Sequence, residues 1–126
     1  MKRIIITVFI LININNDLYA QKYTDTYIKD ANKTALHWLD QINQYKYEEA
    51  YSILHQELKN KFEGKKWINQ ITELMLEFGK LNNRSLTDIS FNNTLAGFGD
   101  GFYVFIEYSS DYTNTKNHIE YLKYHF

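Results

Sequence analysis

Histidine, acidic and tyrosine side chains stand at spacings that could support proton transfer. His37 and Asp40 are three residues apart in a stretch of helical periodicity, so one helix flank would carry a base and the acid that orients it. Such a site also needs a hydrogen-bond donor opposite, which Tyr103, Tyr108 or Tyr121 could supply. The plainer interpretation is that Asp40 caps a helix or anchors a loop and that His37 faces solvent.

His118 and Glu120 form a second arrangement, in which they could ligate a metal. They lie two residues apart on one face of a predicted strand, so an imidazole and a carboxylate stand side by side. A third ligand would have to come from His55, or from His125, which has the opposite strand parity. We therefore interpret His118 and Glu120 as exposed sheet residues, and we expect no metal or other cofactor.

Arg84 is the one arginine after residue 20, and it lies where the helical pattern gives way to strands. An arginine at such a junction favours a bidentate pair with a carboxylate, for which Asp40 and Glu77 are the candidates. The functional alternative is a clamp for the carboxylate of a ligand. No catalytic residue is assigned. The residues expected to line a ligand site are Trp38, Asp40, Arg84, Tyr103 and Tyr121.

Composition narrows the class of protein. The 126 residues leave room for one domain. The absence of cysteine excludes disulfides, a thiolate nucleophile and a cysteine-based zinc site. A formal charge of −1, from 14 basic and 15 acidic residues, argues against a nucleic-acid binder. The sequence has no nucleophile motif, phosphate loop or dinucleotide fingerprint, which lowers the expectation of an enzyme.

Residues 1–20 have the three-part layout of an export signal. Lys2 and Arg3 precede an apolar stretch over residues 4–14, and the chain then reaches Ala20. The apolar stretch is shorter than the roughly 20 residues that a membrane-spanning helix requires. The layout therefore predicts a signal peptide that is removed rather than retained.

Cleavage after Ala20 would leave a single domain of residues 21–126. We expect this domain to be periplasmic or secreted, without stable membrane insertion after cleavage. The alternative is a buried first strand or an uncleaved anchor. Asn13 inside the apolar stretch and Leu18 near the cleavage site keep that alternative open, because both depart from the usual signal-peptide pattern.

Hydrophobic periodicity predicts three helices in the first part of this domain. Apolar residues recur at helical spacing over residues 30–45, 47–58 and 67–78. Gly79 follows the third stretch, at the position of a C-terminal cap.

Beyond the helices the period changes towards 2, which predicts strands near residues 82–92, 102–108 and 118–126. Residues 97–101 and 111–117 are predicted turns. Three helices followed by hairpin-linked strands predict an α+β domain with the helices packed on one face of an antiparallel three-stranded meander. The strand at 102–108 is apolar on both faces, so a second copy of the chain could cover the outer one.

The anchor residues of these elements also carry a family resemblance. They are Ala35, Trp38, Leu39, Asp40, Tyr47, Ala50, Tyr51, Trp67, Glu77, Phe78, Gly79, Arg84, Gly101, Phe102, Tyr103, Val104, Glu120, Tyr121 and Leu122. Over residues 31–122 the pattern resembles the exported bacterial family known as domain of unknown function 4019. The resemblance implies a cystatin-like cone of helices and curved sheet, as in nuclear transport factor 2-like proteins. It assigns no activity, and it implies that this copy lacks the family's last strand.

These observations lead to an expected function and two alternatives. We expect an exported non-enzymatic domain that binds a small molecule, an envelope protein or a second copy of itself, through the cone pocket or the sheet face. The first alternative is a small pocket enzyme of the isomerase or dehydratase kind, with Asp40 or His37 as the base. The second is a scaffold whose strands pair with a partner chain by edge addition.

Overall fold

Helices occupy the first half of the described chain and strands the second, apart from one short strand near the N-terminus. The computed structural model describes the backbone of residues 6–11 and all of residues 24–125. The predicted cleavage site at Ala20 and the terminal Phe126 lie outside the described residues. The elements are β1 (Ile6–Leu11), α1 (Thr24–Asn43), α2 (Tyr47–Ile53), α3 (Gln56–Lys61), α4 (Gly64–Phe78), β2 (Leu81–Leu95), β3 (Gly99–Tyr112) and β4 (His118–His125).

The strands form one sheet in the order β1-β4-β3-β2. β2, β3 and β4 are antiparallel neighbours, so the predicted α+β class and three-stranded meander are confirmed. β1 adds a fourth strand, which pairs with β4 in parallel. β2 is the opposite edge, and its register with β3 shifts at three places. Such bulges protect an edge strand from pairing with other chains.

The prediction of three helices is wrong, because the second predicted helix is divided into α2 and α3. The backbone is extended at Leu54 and His55. The His55 Nδ1 atom accepts a hydrogen bond of 3.0 Å from the Glu57 N–H, so this side chain caps a new helix. The apolar spacing continues across the break, which is why periodicity alone predicted one helix. Among residues 24–125, no helix has the length and apolar character needed to cross a membrane.

The first helix begins six residues before the predicted start at residue 30. Its first turns are held by a tertiary contact, since the buried ring of Tyr27 stacks on Phe102 of β3 with 6.5 Å between ring centres. At the end of the helical layer, Gly79 terminates α4 as predicted. Its φ of 78° is a conformation that glycine adopts without strain, and its N–H bonds the Met75 carbonyl.

The core lies between the helices and one face of β3 and β4. Alternate residues of these strands are buried against the helices, whereas the intervening residues lie on the opposite face, called here the outer face. The largest fully buried side chains include Trp38, Phe78, Tyr108, Tyr112 and Tyr124. Aromatic rings thus fill the space between helices and sheet.

Trp38 offers a test of this packing. Its Nε1–H donates a hydrogen bond of 2.8 Å to the buried Ala50 carbonyl of α2, whereas Trp67 stands beside it half-buried. Trp38→Phe should lower the free energy of unfolding by about 2 kcal/mol more than Trp67→Phe, because it also leaves a buried acceptor unpaired. Urea denaturation followed by circular dichroism measures both values, and equal losses would contradict the assignment.

Candidate functional site

A bidentate ion pair joins β2 to β4 on the face of the sheet that packs against the helices. The Arg84 Nε atom lies 2.7 Å from Glu120 Oε1, and Arg84 Nη2 lies 2.9 Å from Glu120 Oε2. The side chains are only 11% and 1% exposed. Because both charges are removed from water, each depends on the other for solvation.

Two neutral side chains complete this polar cluster, which consists of Asn43, Arg84, Tyr112 and Glu120. Arg84 Nη2 also donates to Asn43 Oδ1 at 2.9 Å and to the Tyr112 hydroxyl at 3.1 Å. The Tyr112 hydroxyl in turn donates to Glu120 Oε2 at 3.2 Å. Burial raises the pKa of Tyr112 to about 12, and the charge of Glu120 acts in the same direction. The hydroxyl therefore stays protonated as a donor.

The sequence predicted that Arg84 pairs with a carboxylate but did not identify which carboxylate. A bidentate pair between Arg84 and a carboxylate is confirmed, whereas Asp40 and Glu77 were the wrong candidates. The prediction that His118 and Glu120 are exposed is also wrong, since they are 0% and 1% exposed. The two side chains do share one face of β4, as predicted, but this face packs against the helices.

His118 is a fully buried histidine of β4. Its two ring nitrogens have no hydrogen-bond partner among the described residues. Its ring instead packs edge-on against Phe78, with 4.7 Å between ring centres. Burial lowers the pKa of His118; the Glu120 carboxylate opposes this shift and the Arg84 guanidinium adds to it. The ring is therefore a neutral part of the core at neutral pH.

The residues predicted to line a ligand site do not meet in one place. Trp38 lies in the core, and Arg84 is occupied by Glu120. Asp40 is exposed on α1, where it accepts a hydrogen bond of 2.6 Å from Gln44.

The two tyrosines of that predicted site lie elsewhere on the sheet. The Tyr103 hydroxyl bonds the Phe98 and Gly99 carbonyls near the β2–β3 turn, and its ring stacks on His125 at 4.4 Å. Tyr121 lies on the outer face, across the sheet from α1. In the described part of the chain, no group of three or more histidine and acidic side chains is arranged to hold a metal ion.

A shallow depression of about 260 Å³ lies on the outer face. Its centre is formed by the half-buried rings of Phe105 and Tyr121, and Lys123 Nζ lies 6.0 Å from the centre of the Phe105 ring. Its lining residues are Asp88, Ser90, Phe105, Ile106, Glu107, Tyr121, Leu122 and Lys123. Of these, only Tyr121 was in the predicted site, although the alternation of apolar and charged residues in β3 and β4 would have identified others.

Charge is divided across this depression. Asp88 and Glu107 are register partners on β2 and β3, so two carboxylates share one side. Lys123 lies on the other side, on β4. Hydrogen bonds from Tyr121 and Thr87 lower the pKa of Glu107, which keeps this carboxylate ionised at neutral pH. The outer face thus presents two aromatic rings that are flanked by carboxylates on β2 and β3 and by an ammonium group on β4.

Substitutions of Arg84 and Glu120 should have strongly non-additive effects on the free energy of unfolding. Arg84→Met should cost roughly 3–5 kcal/mol of unfolding free energy, because it leaves Glu120 buried and unpaired. Adding Glu120→Leu should recover most of this loss, since the double variant buries neither charge. Urea denaturation at pH 7 measures the cycle, with exposed Lys80→Met as the control. Additive losses in the double variant would contradict a coupled pair.

His118 should make the protein less stable in mild acid. Because burial holds its pKa below the usual 6.5, the unfolded chain takes up a proton before the folded chain does as the pH falls. Stability should therefore decrease from pH 7 to pH 5, by at most about 1.4 kcal/mol per pH unit from this group. His118→Leu should flatten that part of the profile, whereas His37→Leu, on the exposed side of α1, should not. An unchanged slope in His118→Leu would refute the assignment.

Comparison with known proteins agrees with the family resemblance of the sequence. No curated protein and no solved structure matches the chain, so the cone-shaped fold implied by the resemblance stays a prediction. A family model described as "Protein of unknown function (DUF4019)" matches residues 34–126, which include α4, the cluster around Arg84 and the outer face. The chain belongs to this DUF4019 family.

Proposed function

We propose that this protein is an exported, non-enzymatic interaction domain that forms a homodimer through the outer face of its sheet. The observation that supports this function is the depression of the outer face, where half-buried Phe105 and Tyr121 adjoin two carboxylates and an ammonium group. Aromatic side chains with flanking charges are typical of protein interfaces.

The volumes on the two sides of the sheet favour a protein partner over a small molecule. The space between helices and sheet is filled by Trp38, Tyr108 and Tyr112 and closed by the pair of Arg84 and Glu120. The outer depression, at about 260 Å³, is smaller than the roughly 300–1,000 Å³ of typical small-molecule sites. A broad, shallow surface suits the face of another protein.

Charge complementarity favours a second copy as that protein. β3 runs between β2 and β4, so turning one copy over about an axis along β3 brings β4 of one protomer over β2 of the other. Lys123 then faces the strand that carries Asp88, and Phe105 faces its own counterpart. The two-fold symmetry repeats this charge contact once, so it occurs twice in such a dimer. Sheets that pack face to face in this way bury their apolar centre.

The alternative of a pocket enzyme has less support. His37 and Asp40 are both exposed on α1, and Asp40 is engaged by Gln44. Tyr121, one of the expected donors, is across the sheet from this helix. Export is supported by the layout of residues 1–20, in which two basic residues precede a short apolar stretch.

The test is the mass and assembly state of the protein purified from the periplasm of an expressing bacterium. The expected chain begins at Gln21 and sediments at twice the monomer mass. Lys123→Glu should weaken the dimer at least tenfold, because it brings a third carboxylate over the strand that carries Asp88. Adding Asp88→Lys should restore the dimer by exchanging the two charges.

Lys116→Glu is the matched control, since Lys116 is exposed in the β3–β4 turn and away from the depression. A monomer that retains a small molecule in its native mass spectrum would overturn the homodimer in favour of ligand binding. A dimer that is indifferent to Lys123→Glu would refute the outer face as its interface.

A further inference from the structure

The edge of β4 carries an apolar strand of the same chain. Six consecutive residues of β1 pair in parallel with β4, from Ile6 beside Glu120 to Leu11 beside His125. The other pairings of the sheet are antiparallel hairpins between strands adjacent in sequence. β1 is therefore a strand brought to the sheet from far away in the sequence.

The sequence of this strand, Ile-Thr-Val-Phe-Ile-Leu, is rich in β-branched and apolar residues and has no charge. It also falls inside the segment that export would remove. The inference drawn here rests on the export part of the proposed function. Once residues 1–20 have been cleaved, the backbone N–H and C=O groups along one edge of β4 lose their partners.

β4 remains fixed in shape without β1. Its other edge pairs with β3 at eight positions, from His118 to His125. Its inward side chains are anchored in the core, with Glu120 held by Arg84 and with Leu122 and Tyr124 fully buried. Because such an edge is already ordered, it can bind an extended segment without an additional loss of conformational entropy in β4.

We propose that in the exported protein the edge of β4 accepts an extended, apolar, β-branched segment of a partner polypeptide. The segment would lie parallel to β4 along residues 120–125, as β1 does in the full chain. Backbone hydrogen bonds would supply affinity, and alternate side chains of the segment would extend the core on one side and the outer face on the other.

Strand exchange in the full chain tests whether the edge of β4 accepts such a segment. A protease recognition sequence placed within residues 12–20 allows the backbone to be cut after folding. A fluorescent peptide with the sequence of residues 6–11, flanked by lysines for solubility, is then added in large excess. We expect it to replace the original strand with one-to-one saturation, measured by fluorescence anisotropy, while the circular dichroism of the domain is unchanged.

The control is the same peptide with Phe9→Pro and Ile10→Pro. One of these two adjacent N–H groups points towards β4, and its loss should weaken binding at least tenfold. Because this change is in the guest, it cannot unfold the host. The proposal that the edge of β4 accepts such a segment would be refuted by any of three results. These are equal binding of both peptides, retention of the original strand, and unfolding of the domain when that strand leaves. Failure of export would instead appear as an uncleaved N-terminus in the periplasmic protein.

Discussion

The buried ion pair between Arg84 and Glu120 constrains the register of the sheet and so the residues that each face presents. One guanidinium joins β2 to β4, and through Asn43 and Tyr112 it also reaches α1 and β3. Moving β4 by one residue would turn Glu120 to the outer face and leave Arg84 unpaired in the interior. The pair therefore fixes which side of each strand faces the helices, and so which residues the outer face presents.

Periodicity was sufficient for the order of helices and strands over residues 30–125, but not for the break between α2 and α3 or for the assignment of faces. The change from helical to alternating spacing after residue 80 predicted the α+β order, and Gly79 marked the end of α4. β4 has two alternating sets of mixed polarity, so its pattern could not show which set is buried. That choice is made by Arg84, whose partner lies 36 residues away in sequence. A bond between such distant residues leaves no local signal.

The residues of the predicted ligand site are dispersed over the fold for a related reason. Asp40 and Tyr121 are polar or amphipathic residues near apolar anchors, so both were candidates on the pattern alone. Asp40 lies on the helical side of the sheet and the Tyr121 side chain on the outer face, and Tyr103 is at the far end of β3, next to the turn. The depression on the outer face is built instead from residues brought together by the register of three strands. Spacing within one strand cannot show this register.

β4 has a separate role on each of its sides. On the inward face, Glu120 fixes the strand through its ion pair with Arg84. On the outer face, Lys123 supplies the positive charge of the depression. Along the edge, the backbone of β4 pairs with β1. A segment bound at this edge would direct every second side chain to the outer face, next to Tyr121 and Lys123. Edge binding and dimer formation would then share contacts, so each would change the affinity of the other by the same factor. A strand rigidly held from inside would thus couple the two surfaces without any change of fold.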